Sequence, residues 1–283
     1  MVNTVVIPAA GLGTRLFTVT KESPKEMVPV FYKTKNGTVL LKPLLEIIFE
    51  NLYDSGFRNF CLIVGRGKET IENHLSPHYD FIEFLKKKGE SQYAKILSNL
   101  YKKIEESSIV WVRQHVQKGI GPATLLAKDF VADRPFLFHA GDLYIPKTKY
   151  LDDIIKTHKK IKPTATIGLK RVKDPRRYGV ATLKKSSGYL KIVKVVEKPK
   201  NPPTNYALTG VNIFEPDIFD AIKNTRIGVK GEIQLTDAIQ TLIKTKNNVV
   251  GSLMSKSEPC IDIGVPETYF DALKYSFRHI VKK

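Results

Sequence analysis

The chain has 283 residues, of which 42 % are hydrophobic, and a formal net charge of +18 at pH 7. That length and composition are typical of a globular protein with a substantial core, and no apolar run approaches the roughly 20 residues that a membrane-spanning helix needs. The N-terminus enters an apolar segment without a basic leader, so we expect a cytoplasmic protein with no membrane partner. Cys61 and Cys260 lie too far apart to indicate a zinc motif or a disulfide framework, and we interpret both as small buried residues.

The positive charge comes from lysines scattered along the chain, in short runs at residues 86–88, 102–103, 159–160 and 184–185. None of these runs is interleaved with aromatic residues in the pattern on which nucleic-acid bases stack. We therefore expect solvated faces and no nucleic-acid partner, although a basic nucleic-acid-binding module stays open as an alternative. Part of the excess charge suits anionic small-molecule substrates, because a positive cleft raises their local concentration.

The first 140 residues alternate between strand and helix patterns. Strands are predicted at residues 4–9, 59–64, 109–113 and 136–140, and helices at residues 69–75 and 123–131. A further helix is indicated by apolar residues at helical spacing from Leu41 to Leu52, with Gly56 as its C-terminal cap. Residues 81–106 are predicted to form a pair of inserted helices. Such alternation favours a mostly parallel sheet with helices on both faces.

The second half has a different pattern. After a helix at residues 151–160, strands are predicted at residues 164–169, 179–183, 190–196, 208–214 and 249–254. Residues 186–188, SSG, indicate a hairpin between two of them. Helices at residues 235–244 and 267–281 close the chain. The predicted fold is therefore an α/β domain spanning residues 1–283, with a Rossmann-like half at about 1–142 and a half at about 143–283 that adds antiparallel strands over the same sheet.

A glycine-rich loop follows the first strand. Residues 8–16 are PAAGLGTRL and residues 23–27 are SPKEM. Gly11 and Gly13 allow the backbone to approach a bulky anion, Arg15 can bind phosphate oxygens with two N–H groups, and Lys25 adds a point charge. The dinucleotide motif requires a glycine at position 16 and the Walker motif requires a glycine followed by Lys-Ser/Thr, so neither matches. A nucleotide-phosphate site is favoured over a purely structural tight turn.

Polar residues follow several predicted strands, where ligands bind in open α/β sheets. Gly11, Gln114, Asp142 and Asp262 each lie at or just past such an end. Asp142 and Asp262 together would supply two hard oxygens for Mg²⁺, which usually takes one or two carboxylates together with phosphate oxygens. A turn or helix-cap role for Asp142, a structural role for Asp262 and a solvated Gln114 remain alternatives.

Glu197 and Lys198 end a strand with opposite charges side by side. Neighbours on a strand point to opposite faces, so we expect no ion pair between them, and exposure of both to solvent is the alternative to a binding role. Residues 232–237, EIQLTD, are consistent with a simple helix start in which Thr236 or Asp237 lies in the first turn.

The glycine loop, together with later motifs, resembles the signature of the sugar-1-phosphate nucleotidylyltransferases, and specifically the UTP–glucose-1-phosphate uridylyltransferases of the bacterial and archaeal type. The motifs occur in the order of that family and cover nearly the whole chain. They are IENH at 71–74, VRQ at 112–114, KGIG at 118–121, GD at 141–142, YGV at 178–180, VEKP at 196–199, GEIQLTDA at 231–238 and DIG at 262–264.

The resemblance implies a set of site residues. The residues implied to bind the nucleotide are Ala10, Gly11, Gly13, Thr14, Arg15, Lys25, Gln114 and Gly119. Among them, Gln114 would contact the imide edge of the base, and Gly119 would leave room for the base. Sugar-phosphate binding falls to Gly179, Glu197, Lys198 and Gly210, the two glycines making space for the sugar ring. The metal ligands are Asp142 and Asp262, for Mg²⁺, and Arg15, Lys25 and Lys198 are the catalytic residues.

Two positions depart from the family pattern. Pro122 stands where bacterial enzymes commonly carry His, and residues 210–212 are GVN where many relatives have Gly-Arg-Tyr. The first departure concerns base and ribose contacts, and the second concerns the sugar that is accepted.

The activity implied by the resemblance converts UTP and glucose 1-phosphate to UDP-glucose and pyrophosphate. A sugar phosphate is already a nucleophile, so none of the six histidines is needed as a base.

Use of dTTP, alone or beside UTP, is an alternative within this chemistry, and a catalytically silent nucleotide-sensing subunit is an alternative of another class. Relatives are commonly dimers or tetramers, so a homo-oligomer is expected.

Overall fold

The computed structural model describes residues 2–186, 188–228, 231–246 and 248–282. Its strands are β1 (Thr4–Ala9), β2 (Pro29–Lys33), β3 (Val39–Pro43), β4 (Asn59–Val64), β5 (Ser108–Arg113), β6 (Phe136–His139), β7 (Leu143–Tyr144), β8 (Ala165–Arg171), β9 (Gly179–Ser186), β10 (Tyr189–Glu197), β11 (Tyr206–Phe214), β12 (Val249–Leu253) and β13 (Ile261–Asp262). Its helices are α1 (Leu44–Asp54), α2 (Glu69–His74), α3 (Tyr79–Lys87), α4 (Ser91–Glu105), α5 (Ile120–Leu125), α6 (Lys128–Val131), α7 (Lys149–Ile161), α8 (Asp217–Lys223), α9 (Leu235–Lys246) and α10 (Pro266–Ser276). None of these helices is both long and apolar enough to cross a bilayer.

Nine strands form one sheet in the order β5-β4-β1-β6-β11-β8-β12-β10-β9. Strands β5, β4, β1 and β6 are parallel, as the alternating pattern predicts. The antiparallel strands of the second half continue this sheet instead of lying over it, beginning with β11 against β6. A further pairing between β11 and β9 closes five strands into a ring.

The sheet is covered on both faces because its central strands are apolar throughout. In β4, Phe60, Leu62 and Val64 face a core built with α1, α4, α7 and α10, whereas Cys61 and Ile63 face a second core built with α5, α8 and α9. This alternation follows from the two-residue period of a strand. The inner parallel strands β1, β4 and β6 are therefore buried on both sides, and the carboxyl ends of the parallel strands lie at one edge.

Most element predictions are confirmed, including the helix pair within residues 81–106 and the end of α1. Gly56 has φ +96°, its N–H donates to the carbonyl of Tyr53, and the Phe57 N–H donates to Leu52 O, 3.0 and 3.1 Å away. These two bonds form a Schellman cap. The predicted SSG hairpin joins β9 and β10, which pair from Ser186 and Tyr189 onward; Ser187 lies outside the described residues.

Four predictions were wrong in detail. Leu41 belongs to β3, which pairs with β2 in a hairpin that the helical spacing concealed. The helix predicted at residues 123–131 is divided into α5 and α6. The last helix ends at Ser276 and continues as a π-helical turn, Phe277–Val281. Cys260 is only partly buried, although Cys61 is fully buried as expected.

A bulge in β11 shapes the sheet beneath the site. The register against β8 shifts between Leu208 and Asn212, and Gly210 within the bulge has φ +83°. The bulge crosses directly over Gly168, where a Cβ would lie 2.4 Å from the carbonyl oxygen of Val211. Only glycine fits beneath this backbone, and the bulge directs Gly210 and its neighbours toward the sheet edge that carries the site.

A buried charge cluster connects β3, α1 and the inserted helices. Lys42, only 5 % exposed, lies 2.7 Å from Glu46 and 2.5 Å from Glu50, and Glu50 is 3.4 Å from Lys103 of α4. Burial alone would lower the pKa of Lys42, but the two glutamates outweigh it and the pKa lies above its ordinary value. The insert is thus attached to the Rossmann-like half partly by ion pairs that solvent hardly reaches.

Replacing Lys42 with methionine should therefore destabilise the fold. Removal of one partner from a buried ion cluster typically costs about 3–5 kcal/mol, and the lower end applies here because Lys103 and His74 still contact the glutamates. The matched control is Lys86→Met, which removes an exposed pair with Glu83 and should cost less than about 1 kcal/mol. Urea unfolding of the two variants measures both values, and equal small losses would contradict a structural role for the cluster.

Candidate active site

A cavity of about 390 Å³ opens at the carboxyl ends of β1, β5 and β6. Every residue to which the resemblance assigns nucleotide binding lines it: Ala10, Gly11, Gly13, Thr14, Arg15, Lys25, Gln114 and Gly119. Asp142 lies on its wall as well. We call this the first cavity. Residues separated by more than 130 positions in the sequence meet here because the parallel strands end at a common edge.

The glycine loop wraps around the first cavity. Gly13 has φ +66°, and its carbonyl oxygen accepts bonds from the Leu16 N–H and the Thr20 hydroxyl, both at 2.8 Å. At Gly11, a Cβ would lie 3.7 Å from the ammonium nitrogen of Lys25, so the lysine passes close over the bare backbone. The loop thereby exposes backbone and two cations toward the cavity.

Lys25 forms an ion pair with Asp142. The side chains of Lys25 and Asp142 are 16 % and 22 % exposed, so solvent screens the pair only in part. Burial acts to lower the pKa of Lys25. The negative charges of Asp142 and the neighbouring Glu26 outweigh this effect, so the pKa lies above its ordinary value and the ammonium stays charged. The pair fixes a cation at the border of the cavity where a phosphate group can reach it.

Asp142 and Asp262 are brought together by a two-residue antiparallel ladder. In it β7 pairs with β13, Leu143 opposite Asp262, and the Ile263 N–H donates to the Asp142 carbonyl at 2.9 Å. The pKa of Asp262 is raised, first by burial and then by the Asp142 carboxylate, while Lys25, Arg15 and Lys170 oppose the shift. The two carboxylates therefore share one electrostatic environment.

This donor set suits a hard divalent cation. The Asp142 and Asp262 carboxylates interact electrostatically, and within the described ranges no cluster of three or more His, Cys, Asp and Glu side chains adds a further protein ligand. Mg²⁺ usually binds with one or two carboxylates and completes its shell with water and phosphate oxygens. The residues present thus fit Mg²⁺ bound together with a phosphorylated ligand.

A second cavity, of about 270 Å³, lies beside the first. Its lining includes all four residues assigned to the sugar phosphate and the second aspartate: Gly179, Glu197, Lys198, Gly210 and Asp262. Arg15 and Asp142 line both cavities. The predicted metal site consequently lies where the two cavities meet.

The expectation that Glu197 and Lys198 form no ion pair was wrong. The Lys198 ammonium lies 3.0 Å from Oε1 of Glu197. Strand β10 ends at Glu197, and Lys198 follows with φ +40°, so the alternation of side chains along a strand does not apply to this residue pair. Oε2 of Glu197 accepts a hydrogen bond from the Thr236 hydroxyl at 2.7 Å, which joins the first turn of α9 to the second cavity.

Three of the predicted glycines have packing neighbours of their own. A Cβ at Gly119 would meet the Ile233 carbonyl oxygen at 2.8 Å, one at Gly179 the Thr236 hydroxyl at 2.7 Å, and one at Gly210 the Ala140 methyl at 3.2 Å. These glycines allow close approach of protein segments at the cavity walls. Their predicted contacts with base and sugar stay predictions.

Three charged or polar residues were missed by the sequence analysis. The buried Glu26 lies next to Lys25 and accepts from Lys68 at 3.0 Å, and Gln117 donates to the Ala10 carbonyl at 2.9 Å. Burial raises the pKa of Glu26, although Lys68 and Lys25 act against the shift. The only sequence signal for Glu26 is its place in the PKEM motif. Lys68 and Gln117 carry no pattern that distinguishes them from solvated residues.

His139 supports the turn that carries Asp142. Its Nδ1–H donates to the Ala140 carbonyl at 2.9 Å, and Nε2 accepts from the Tyr150 hydroxyl at 2.8 Å. A carbonyl can only accept, which fixes this tautomer. Burial lowers the pKa of His139 to about 4, with Ala140 and Asp142 opposing the shift. His139 is therefore neutral at pH 7 and has a structural role.

A family model described as "Nucleotidyl transferase" matches residues 4–277. The chain belongs to the nucleotidyl transferase family. The α/β fold expected from the resemblance is confirmed by structural neighbours of the same family.

Relatives of this nucleotidyl transferase include curated enzymes and solved structures. UTP–glucose-1-phosphate uridylyltransferase 1 of Staphylococcus saprophyticus is 36 % identical over 249 residues, covering 84 % of this chain and 80 % of that protein. UTP–glucose-1-phosphate uridylyltransferase of Pseudomonas aeruginosa is 31 % identical over 289 residues, covering 100 % and 98 %. A solved structure of UTP-bound UGPase from Acinetobacter baumannii is 26 % identical with a TM-score of 0.84, covering 100 % of this chain and 96 % of that one.

The buried neutral His139 should make the stability of the fold depend on pH. Its pKa is about 4 in the folded state and near 6.5 in the unfolded state, so the unfolded state binds more protons between these values. The free energy of unfolding should fall as the pH is lowered from about 6.5 to about 4, by up to roughly 3 kcal/mol from this group. Urea unfolding of the wild type and of His139→Gln across this range measures the difference. Identical pH slopes for the two proteins would contradict the prediction.

Proposed function

We propose that this nucleotidyl transferase converts UTP and glucose 1-phosphate to UDP-glucose and pyrophosphate. One observation carries the proposal: the first and second cavities meet at Arg15 and Asp142, which line both. A transfer reaction needs its two substrates in contact at the reacting atom and separate elsewhere, and two cavities with a shared border provide that arrangement. The names of the relatives supply the identity of the substrates.

In the proposed reaction, a phosphate oxygen of glucose 1-phosphate attacks the α-phosphorus of UTP. The new bond joins that oxygen to the α-phosphorus, the bond from the α-phosphorus to the bridging oxygen breaks, and pyrophosphate leaves with the electron pair. The α-phosphorus would lie at the border of the cavities, beside Lys25 and Asp142. No side chain needs to remove a proton, because the attacking phosphate is already anionic.

The chain's contribution is therefore positioning and charge neutralisation. Arg15 would hold the leaving pyrophosphate with its two-pronged guanidinium, and Lys25 would bind the triphosphate near the α-phosphorus. Lys198, which extends into the second cavity from the end of β10, would orient the attacking phosphate. Its partner Glu197 would accept from sugar hydroxyls, since Thr236 and Lys198 hold the carboxylate in place.

Asp142 and Asp262 would hold Mg²⁺. Bound there, the ion would supply positive charge to the phosphate oxygens of both substrates. Among the chain's own charges, Asp142 raises the pKa of Asp262, and Lys25 and Arg15 oppose this shift. Phosphate groups entering the cleft would provide these two cations with new partners.

The base would be selected by Gln114. This residue is 7 % exposed, and its Nε2 donates to the Gly119 carbonyl at 3.5 Å, which orients the amide. The remaining N–H and the amide oxygen can pair with the acceptor and donor of a uracil imide edge. Thymine has the same edge, so the use of dTTP stays an alternative.

A pyrophosphate-release assay tests the proposal. With glucose 1-phosphate, UTP or dTTP should support turnover, and CTP should be rejected by up to about 10⁴-fold because cytosine reverses the hydrogen-bond pattern facing Gln114. The matched variant is Gln114→Leu, which should lose the discrimination against CTP.

Three outcomes would count against parts of the account. Comparable turnover with UTP and CTP would contradict the role of Gln114. Turnover with none of UTP, dTTP and CTP, although UTP binds in an equilibrium titration, would favour a silent nucleotide-sensing subunit. Turnover with another sugar 1-phosphate and none with glucose 1-phosphate would contradict the proposed substrate.

A further inference from the structure

Asn212 is a buried polar residue on the floor of the second cavity. It lies in β11, just after the bulge, and is only 2 % exposed. Its cross-strand neighbours are apolar, with Phe138 on β6 and Ile167 on β8. A polar side chain in such surroundings is costly unless its donors and acceptors are satisfied.

The amide of Asn212 is satisfied on one side. The Gly168 N–H donates to its Oδ1 at 3.3 Å. Because a backbone N–H can only donate, this bond fixes the orientation of the amide, with the oxygen toward β8 and the NH₂ group away from that bond. Among the described residues, this is the only hydrogen bond that the Asn212 side chain makes. Two N–H donors are therefore left for a ligand.

The Glu197 carboxylate, an acceptor in the lining of the same cavity, already has protein partners. Glu197 uses one oxygen for Lys198 and the other for Thr236. Asn212 also lines the second cavity, so a molecule bound there can reach its NH₂ group. The apolar neighbours of Asn212 favour a neutral acceptor such as a hydroxyl oxygen over a phosphate oxygen, whose charge would be poorly solvated against Phe138 and Ile167.

We propose that Asn212 is a specificity-determining residue that donates a hydrogen bond to a hydroxyl oxygen of the sugar in the second cavity. The proposal rests on the proposed function, because it assumes that the sugar phosphate occupies this cavity. It gives a physical role to a position in the GVN segment, where the chain departs from the pattern of its relatives. A donor at the floor of the cavity would reject sugars that lack the matching hydroxyl, since its N–H groups would then be buried without a partner.

A cycle of enzyme and substrate changes tests this contact. kcat/KM is measured for the wild type and for Asn212→Leu with glucose 1-phosphate and with its 2-, 3-, 4- and 6-deoxy analogues. The wild type should discriminate against one analogue by about tenfold or more, and Asn212→Leu should lose that discrimination. Asn212→Leu should also lower kcat/KM for glucose 1-phosphate by about tenfold, with unchanged affinity for UTP alone.

A second variant separates contact from packing. Asn212→Asp keeps the acceptor for the Gly168 N–H but removes the amide donors, so it should lose the same discrimination even if Asn212→Leu fails to fold. Equal losses on all five sugar phosphates, in whichever variants fold, would show a packing role and overturn the assignment of Asn212. Absence of wild-type turnover with glucose 1-phosphate and all its analogues would instead overturn the proposed function, and the Asn212 contact with it.

Discussion

Repulsion between the carboxylates of Asp142 and Asp262 is the constraint around which the cleft is built. The two-residue ladder of β7 and β13 holds them together, and the Asp142 carboxylate contributes to the raised pKa of Asp262. Such a pair needs nearby cations, and Lys25 and Arg15, from the glycine loop and the segment after it, lower the pKa of Asp262. The loop, the ladder and the border between the cavities are thus parts of one electrostatic arrangement.

That arrangement explains why other charges are buried nearby. Lys68 and Glu26 pair behind Lys25, and Lys198, Glu197 and Thr236 form a chain of contacts in the second cavity. Buried ion pairs contribute little net stability, because desolvation offsets much of their attraction. We interpret their presence at this edge as positioning: each fixes the direction of a side chain that faces a cavity. Clefts that stabilise charge in a reaction commonly sacrifice some stability in this way.

Much of the fold and of the candidate site could be predicted from the sequence, for identifiable reasons. Strands such as β4 are short apolar runs bounded by polar residues, and Gly56 marks a helix end by its left-handed conformation. Site residues such as Gly11 and Asp142 follow strands, and the carboxyl ends of parallel strands meet at one edge. The ordered motifs added Glu197 and Lys198, which lie at the end of an antiparallel strand and would not be located by that rule.

The features that escaped prediction depend on contacts between distant segments. Leu41 has helical spacing with the apolar residues of α1, which predicts that it belongs to that helix. It lies instead in β3, because β3 pairs with β2 in a hairpin. Lys198 pairs with Glu197 because its backbone has φ +40° just past the strand end, a conformation that local sequence does not reveal. Asn212, whose NH₂ group has no partner in the part of the chain that the structure describes, lies beside the bulge over Gly168, which no propensity scale detects. Tertiary context decided each of these cases.

The most direct test of the central claim is a double-mutant cycle on the two aspartates. Asp142→Asn, Asp262→Asn and the double variant are compared in steady-state turnover across Mg²⁺ concentrations and in direct Mn²⁺ binding by electron paramagnetic resonance. If both carboxylates act on one cation, each single variant should lose about 10²–10³-fold in kcat and weaken Mn²⁺ binding, and the double variant should lose far less than the product of the single losses. Near-normal turnover of Asp142→Asn with unchanged Mn²⁺ binding, or fully multiplicative losses in folded proteins, would contradict it.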